Sequence, residues 1–149
     1  MKTRYKQNLF ILLTVLPIIF GIHEVQADEM RDLLIGRQGN CSKDDRDRTV
    51  LGCSGNTYNA TVSINKVDVS GSKVTAHYNG KYDRDKFDIP CVKTANEQRN
   101  IFGSYSFEVK PGRIVWGNPT QFGEVNDPGH DSNAYAFCAV KNAVNSAMQ

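Results

Sequence analysis

The sequence predicts an α+β, mainly β domain: an antiparallel sheet of about five or six strands, part of which closes toward a small barrel, with a C-terminal helix. Two strand-like runs and one helical run carry that expectation. Tyr58, Ala60, Val62 and Ile64 alternate with polar residues, and so do Ile101, Gly103, Tyr105, Phe107 and Val109. That period of two marks strands with one buried face. Near the C-terminus, Phe137, Val140, Val144 and Met148 recur at helical spacing.

The chain opens with Lys2, Arg4 and Lys6, and a nearly unbroken apolar run follows from Leu9 to Phe20. A basic start and about 12 apolar residues suit a signal peptide and fall short of the ~20 that span a bilayer. The run decays into Val25-Gln26-Ala27 before Asp28-Glu29, so residues 1–27 are expected to be cleaved after Ala27. Residues 28–149 then form a single disulfide-bonded globular domain, too short for two comfortable cores. The leader carries three of the 18 basic and one of the 16 acidic residues, so the remainder is close to neutral. Lys43, Arg46 and Arg48 are interleaved with Asp44, Asp45 and Asp47. No basic face of the kind that binds nucleic acid is visible.

Residues 29–37 read as a short helix or an opening strand, stopped by Gly36 and Gly39. Residues 40–56 are polar and turn-rich and read as a surface loop. The Tyr58–Ile64 run, the turn residues Val69-Ser70-Gly71-Ser72 and the run from Val74 to Tyr82 predict an antiparallel hairpin. Asp83–Lys86 reads as a polar break, and Phe87 and Ile89 as a short strand ended by Pro90. The Ile101–Val109 run turns at Pro111-Gly112 into Ile114-Val115-Trp116, predicting a second hairpin. Residues 117–130 hold five Gly or Pro and read as a long irregular loop. Asp131 or Ser132 then caps a helix reaching about Ala147, with Cys138 well off its apolar arc.

Cys41, Cys53, Cys91 and Cys138 are an even set in an exported chain, which argues for two disulfides. Cys41–Cys53 is the expected clip on the polar loop, and Cys91–Cys138 the expected tie from a strand end to the helix. Each contributes about 3–4 kcal/mol on the chain-entropy model. No Cys-x-x-Cys pair and no nearby His suggests a metal site, and no cofactor is expected.

No catalytic set is assigned. His77 and His130 supply the minimum for acid/base cleavage of RNA but sit far apart in sequence. Gly52-Cys53-Ser54-Gly55 is one residue too tight for a nucleophile elbow. Asp83-x-Asp85-x-x-Asp88 and Asp127-Pro-Gly-His-Asp131 lack EF-hand spacing. Asn40-Cys41-Ser42 and Asn59-Ala60-Thr61 match the glycosylation sequon.

The expected contact residues are Trp116, Phe122, Asp127, His130 and Asp131, on or beside the 117–130 loop, because aromatic rings near a Gly/Pro loop suit a protein or glycan contact. The assortment of leader, four cysteines, hairpins and closing helix resembles small exported bacterial proteins, including periplasmic inhibitor and immunity types. The expectation is a secreted or periplasmic, non-enzymatic binding module acting on a secreted hydrolase or toxin, presenting residues 117–130 with help from residues 42–52. The alternatives are a small secreted hydrolase acting on glycan, peptide or RNA, and a subunit of a surface assembly.

Overall fold

The computed structural model describes residues 26–117 and 132–149. Its elements are α1 (Glu29–Leu34), β1 (Gln38–Thr49), β2 (Gly52–Ser70), β3 (Lys73–Asp88), β4 (Val92–Lys110), β5 (Arg113–Trp116) and α2 (Ser132–Ala147). All five strands pair antiparallel with their sequence neighbours, in the spatial order β1-β2-β3-β4-β5. The sheet curls into a half-barrel, and α2 fills its concave side. The mainly β fold with its closing helix is therefore as the alternating runs predict.

Register explains the core. Ala60 faces Tyr82, Val62 faces Gly80 and Ile64 faces Tyr78 across β2 and β3. Val74, Ala76 and Tyr78 in turn face Phe107, Tyr105 and Gly103 of β4. Directly opposed residues share a face, so one alternating set from each strand points at α2. A bulge between Ile64 and Lys66 shifts the phase, and beyond it Val67 and Val69 take the inward positions. Tyr135 of α2 is fully buried, with ring centroids 5.4 Å from Tyr58 and 5.7 Å from Tyr82. Burial of each such side chain is worth about 1.5–3 kcal/mol relative to exposure.

The helix lies closest to β1. A Cβ on Gly39 would sit 1.9 Å from the carbonyl oxygen of Ala139, so only glycine permits this approach. Asn142 donates from Nδ2 to the Asn40 carbonyl at 2.8 Å, and α1 adds Met30 and Leu34 to the same core. Of the open reading for residues 29–37, the helix is the form adopted. Met148, expected on the apolar face, lies just past the helix end and is exposed.

Two expected irregular segments are strand. Residues 40–56 are the polar β1 and the start of β2, paired without interruption from Gln38↔Ser63 to Thr49↔Gly52. Asp83–Lys86 is no break, because β3 runs through it with each residue paired on both sides. Ladder pairing satisfies the backbone groups there whatever the side chains are, so a charged, partly exposed stretch still makes strand.

The disulfides are Cys41–Cys138 and Cys53–Cys91, which corrects both favoured pairings. The reason lies in the β1–β2 ladder. Cys41 opposes Ala60 and Cys53 opposes Arg48, so the two sulfurs point to opposite faces. They are also seven rungs apart, about 23 Å at strand rise. Cys138 is therefore met by β1 of the sheet itself, and the Pro90–Cys91 segment does not cover the helix.

Candidate functional site

Of the five expected contact residues, only Trp116 lies within the described residues; Phe122, Asp127, His130 and Asp131 lie outside them, as do the proposed leader up to Val25 and nearly all of the 117–130 loop. Trp116 closes β5 opposite Phe107, half-buried, with ring centroids 4.8 Å from Phe107 and 5.3 Å from Phe137. It packs onto the edge of the core and also forms part of the floor of an open groove of about 500 Å³, whose rim carries Lys73 and Glu108. Mixed aromatic floors with a few polar groups are usual for ligand clefts of this size.

A second surface lies at the opposite end of the sheet, where the strands run past α2. The β1–β2 turn carries Val50, fully exposed at 103%, and Leu51, 69% exposed. The β3–β4 turn carries Ile89 at 53%, and Val92, which opens β4, is 56% exposed. The Cys53–Cys91 disulfide ties these two tips together with a Cα–Cα distance of 4.4 Å. Gly52, at φ +127°, lies against Pro90, where a Cβ would come 2.5 Å from the proline carbonyl carbon. The Ile89–Pro90 peptide is cis, and Cys91 has φ +88°. The result is a double-hairpin wedge with four aliphatic side chains held toward solvent. Clustered apolar exposure of this kind marks interaction surfaces, whereas scattered apolar residues do not.

The wedge's shoulders are charged but self-compensated. Arg46 donates to both oxygens of Asp44, at 2.7 and 2.5 Å, and stacks 4.7 Å from the Phe87 ring. That guanidinium holds the Asp44 carboxyl down at about 2. Lys93 lies 2.7 Å from Asp85 and lowers its pKa in the same way, Lys86 lies 3.7 Å from Asp88, and Arg48 lies 3.6 Å from Asp44. These are surface pairs, worth little to stability, and each sets a cation beside an anion.

No family model, curated protein or solved structure matches the chain.

Among the described residues, the titratable side chains form pairs and not a nucleophile–base–acid set. His77 bonds through Nε2 to Asp68 at 2.7 Å, and Lys66 shares that carboxylate at 3.0 Å. Lys66 first, and His77 second, lower the Asp68 pKa. Ser104 is the cross-strand partner of His77, but among the described residues His77 makes its side-chain bond to Asp68 and none to Ser104. A triad needs the base bonded to its nucleophile as well as to its acid. Among the described residues no His, Cys, Asp or Glu cluster is able to hold a metal ion. The Asp83/Asp85/Asp88 run is drawn out along β3, with Asp85 and Asp88 bonded to side chains of β4.

The expected contact residues centre on the 117–130 loop and do not include Val50, Leu51, Ile89 or Val92. The available signal was Val50-Leu51, two bulky apolar residues inside a polar stretch, together with Ile89-Pro90 beside a cysteine. The sequon asparagines Asn40 and Asn59 lie on neighbouring strands with their side chains bonded at 2.7 Å.

Proposed function

We propose that this protein is an exported, non-enzymatic binding module whose contact surface is the disulfide-riveted wedge formed by Val50, Leu51, Ile89 and Val92. The observation that carries this reading is the placing of four aliphatic side chains in solvent on two turns that a covalent bond prevents from separating. A rigid projection loses little conformational entropy on docking, so its apolar burial is retained as affinity. Its convex shape suits a cleft in another protein, such as the active-site cleft of a secreted hydrolase or toxin. Self-compensated shoulders argue against anionic lipid or nucleic acid, both of which select net positive charge. Two disulfides, and no helix among the described residues long and apolar enough to cross a membrane, fit residence outside the cytoplasm.

The test is capture of envelope or secreted proteins from the source on immobilised, oxidised protein. Val50→Asp/Leu51→Asp is expected to abolish capture of a specific partner while the thermal melt stays within a few degrees of wild type. Trp116→Ala is expected to leave that capture intact. Capture that survives the double aspartate variant, or loss confined to Trp116→Ala, would move the contact surface to the aromatic groove.

A further inference from the structure

The two edges of this sheet are not treated alike. On β1, the two-residue turn after Thr49 makes the even-numbered residues present their N–H and C=O outward. Asn142 covers the Asn40 carbonyl from α2, and the Asp44 carboxylate accepts the Arg46 N–H at 3.3 Å, so that edge is blunted. On β4, β5 pairs only with Phe107–Lys110, and Gly117 donates to the Ser106 carbonyl. Below Ser106 no strand among the described residues pairs with this side of β4. The Ser106 bond sets the phase, so Asn96, Gln98, Asn100, Phe102 and Ser104 point their N–H and C=O outward. A β-bulge against Lys86/Phe87, which leaves Thr94 unpaired, ends this free run.

The free run is self-complementary. We infer that β4 is a dimerisation edge, pairing antiparallel with β4 of a second copy of this chain about a two-fold axis through Gln98. In that register Gln98 meets its own counterpart, and Asn96 and Asn100 meet each other. All three are outward-facing positions, so each facing pair exchanges two backbone bonds, as an antiparallel ladder requires. Glu97 then faces Arg99 of the second copy at a non-hydrogen-bonded position, where side chains approach most closely. The two copies repeat that contact across the axis. Within one chain Arg99 already lies 2.5 Å from Glu97, so the dimer would join two such pairs into an alternating square of charge. Phe102, 80% exposed on the convex face, falls opposite the Thr94 of the second copy. A contact of this kind is isologous and closes at two copies. It is independent of the wedge, which lies at the turn end of the same strand, and it would set two wedges on one particle.

Light scattering coupled to size exclusion, on the oxidised protein at a concentration well above micromolar, is expected to give twice the chain mass. Gln98→Pro removes an outward N–H at the axis, which an edge strand tolerates, and is expected to give monomer with the wild-type melt. Glu97→Arg sets like charges across the axis and is expected to give monomer; Glu97→Arg/Arg99→Glu restores the pairing and the dimer. If Gln98→Pro unfolds the chain, the charge-reversal series alone decides. A wild-type monomer, an open-ended series of larger species, or a dimer indifferent to charge reversal would each overturn the inference.

Discussion

Cys138 of α2 is bonded to Cys41 of β1, 97 residues earlier, and their Cα atoms lie 5.7 Å apart. The bond sits beside the glycine contact at Gly39, so the helix is held to the first strand by covalent linkage and by backbone proximity together. The second disulfide, Cys53–Cys91, does a separate task at the other end of the sheet.

Removing the two bonds should have different consequences. Cys41→Ser/Cys138→Ser is expected to lower global stability by about 4–5 kcal/mol and Cys53→Ser/Cys91→Ser by about 4 kcal/mol, on the chain-entropy model. The second variant should keep α2 protected in hydrogen exchange while exchange rises at the wedge. The first should expose α2. Peptide mapping under non-reducing conditions that returned Cys41–Cys53 would contradict this geometry.

Gly39→Val should destabilise the protein by at least about 1–3 kcal/mol, the usual cost of overpacking, because the intruding atom meets helix backbone, which has no rotamer to change. Denaturant melts check this, and a loss well below about 1 kcal/mol would show that the Gly39 contact is unimportant.

Tyr82→Phe should be neutral or stabilising by up to about 1 kcal/mol. The hydroxyl of Tyr82 is buried without a hydrogen-bond partner among the described residues, and deleting a desolvated, unpaired group removes a cost. Chemical denaturation reads the difference directly.

Stability should be flat across neutral pH and fall at both extremes. Burial raises the pKa of Tyr58, Tyr78 and Tyr82 above the ordinary 10.0. Their contribution is complete below pH 10 and is lost as pH rises through the folded values. Asp44, Asp68 and Asp85 are lowered by their cationic partners, Arg46, Lys66 and Lys93 foremost. Their contribution is complete above the ordinary 3.8 and is lost as pH falls, for Asp44 toward about 2. Because these carboxylates lie on the surface, the acid limb should also shrink with added salt. Thermal melts across the pH range test both limbs, with tyrosinate absorbance following the alkaline one.

The central sheet and α2 were legible because their residues face a core on one side, which writes a period into the sequence. Ala60, Val62 and Ile64 alternate because α2 covers one face of β2. β1 was illegible for the opposite reason. Past Cys41 both of its faces meet solvent, so Lys43 through Arg48 carry no apolar period, and only pairing with β2 makes them strand. The disulfide partners depend on which face each cysteine takes in that ladder, and face cannot be read where strand itself is unread. Trp116 lines the groove and packs on Phe107 and Phe137. The wedge escaped notice because its four aliphatic residues come from two turns 39 positions apart, and only the Cys53–Cys91 bond reveals them as one surface.

Every sheet contact among the described residues joins neighbours in sequence, but α2, which completes the core, follows all five strands and seats on the first of them. A chain delivered from its N-terminus therefore holds hairpins with an uncovered apolar side until α2 emerges, so closure waits on the last of these elements.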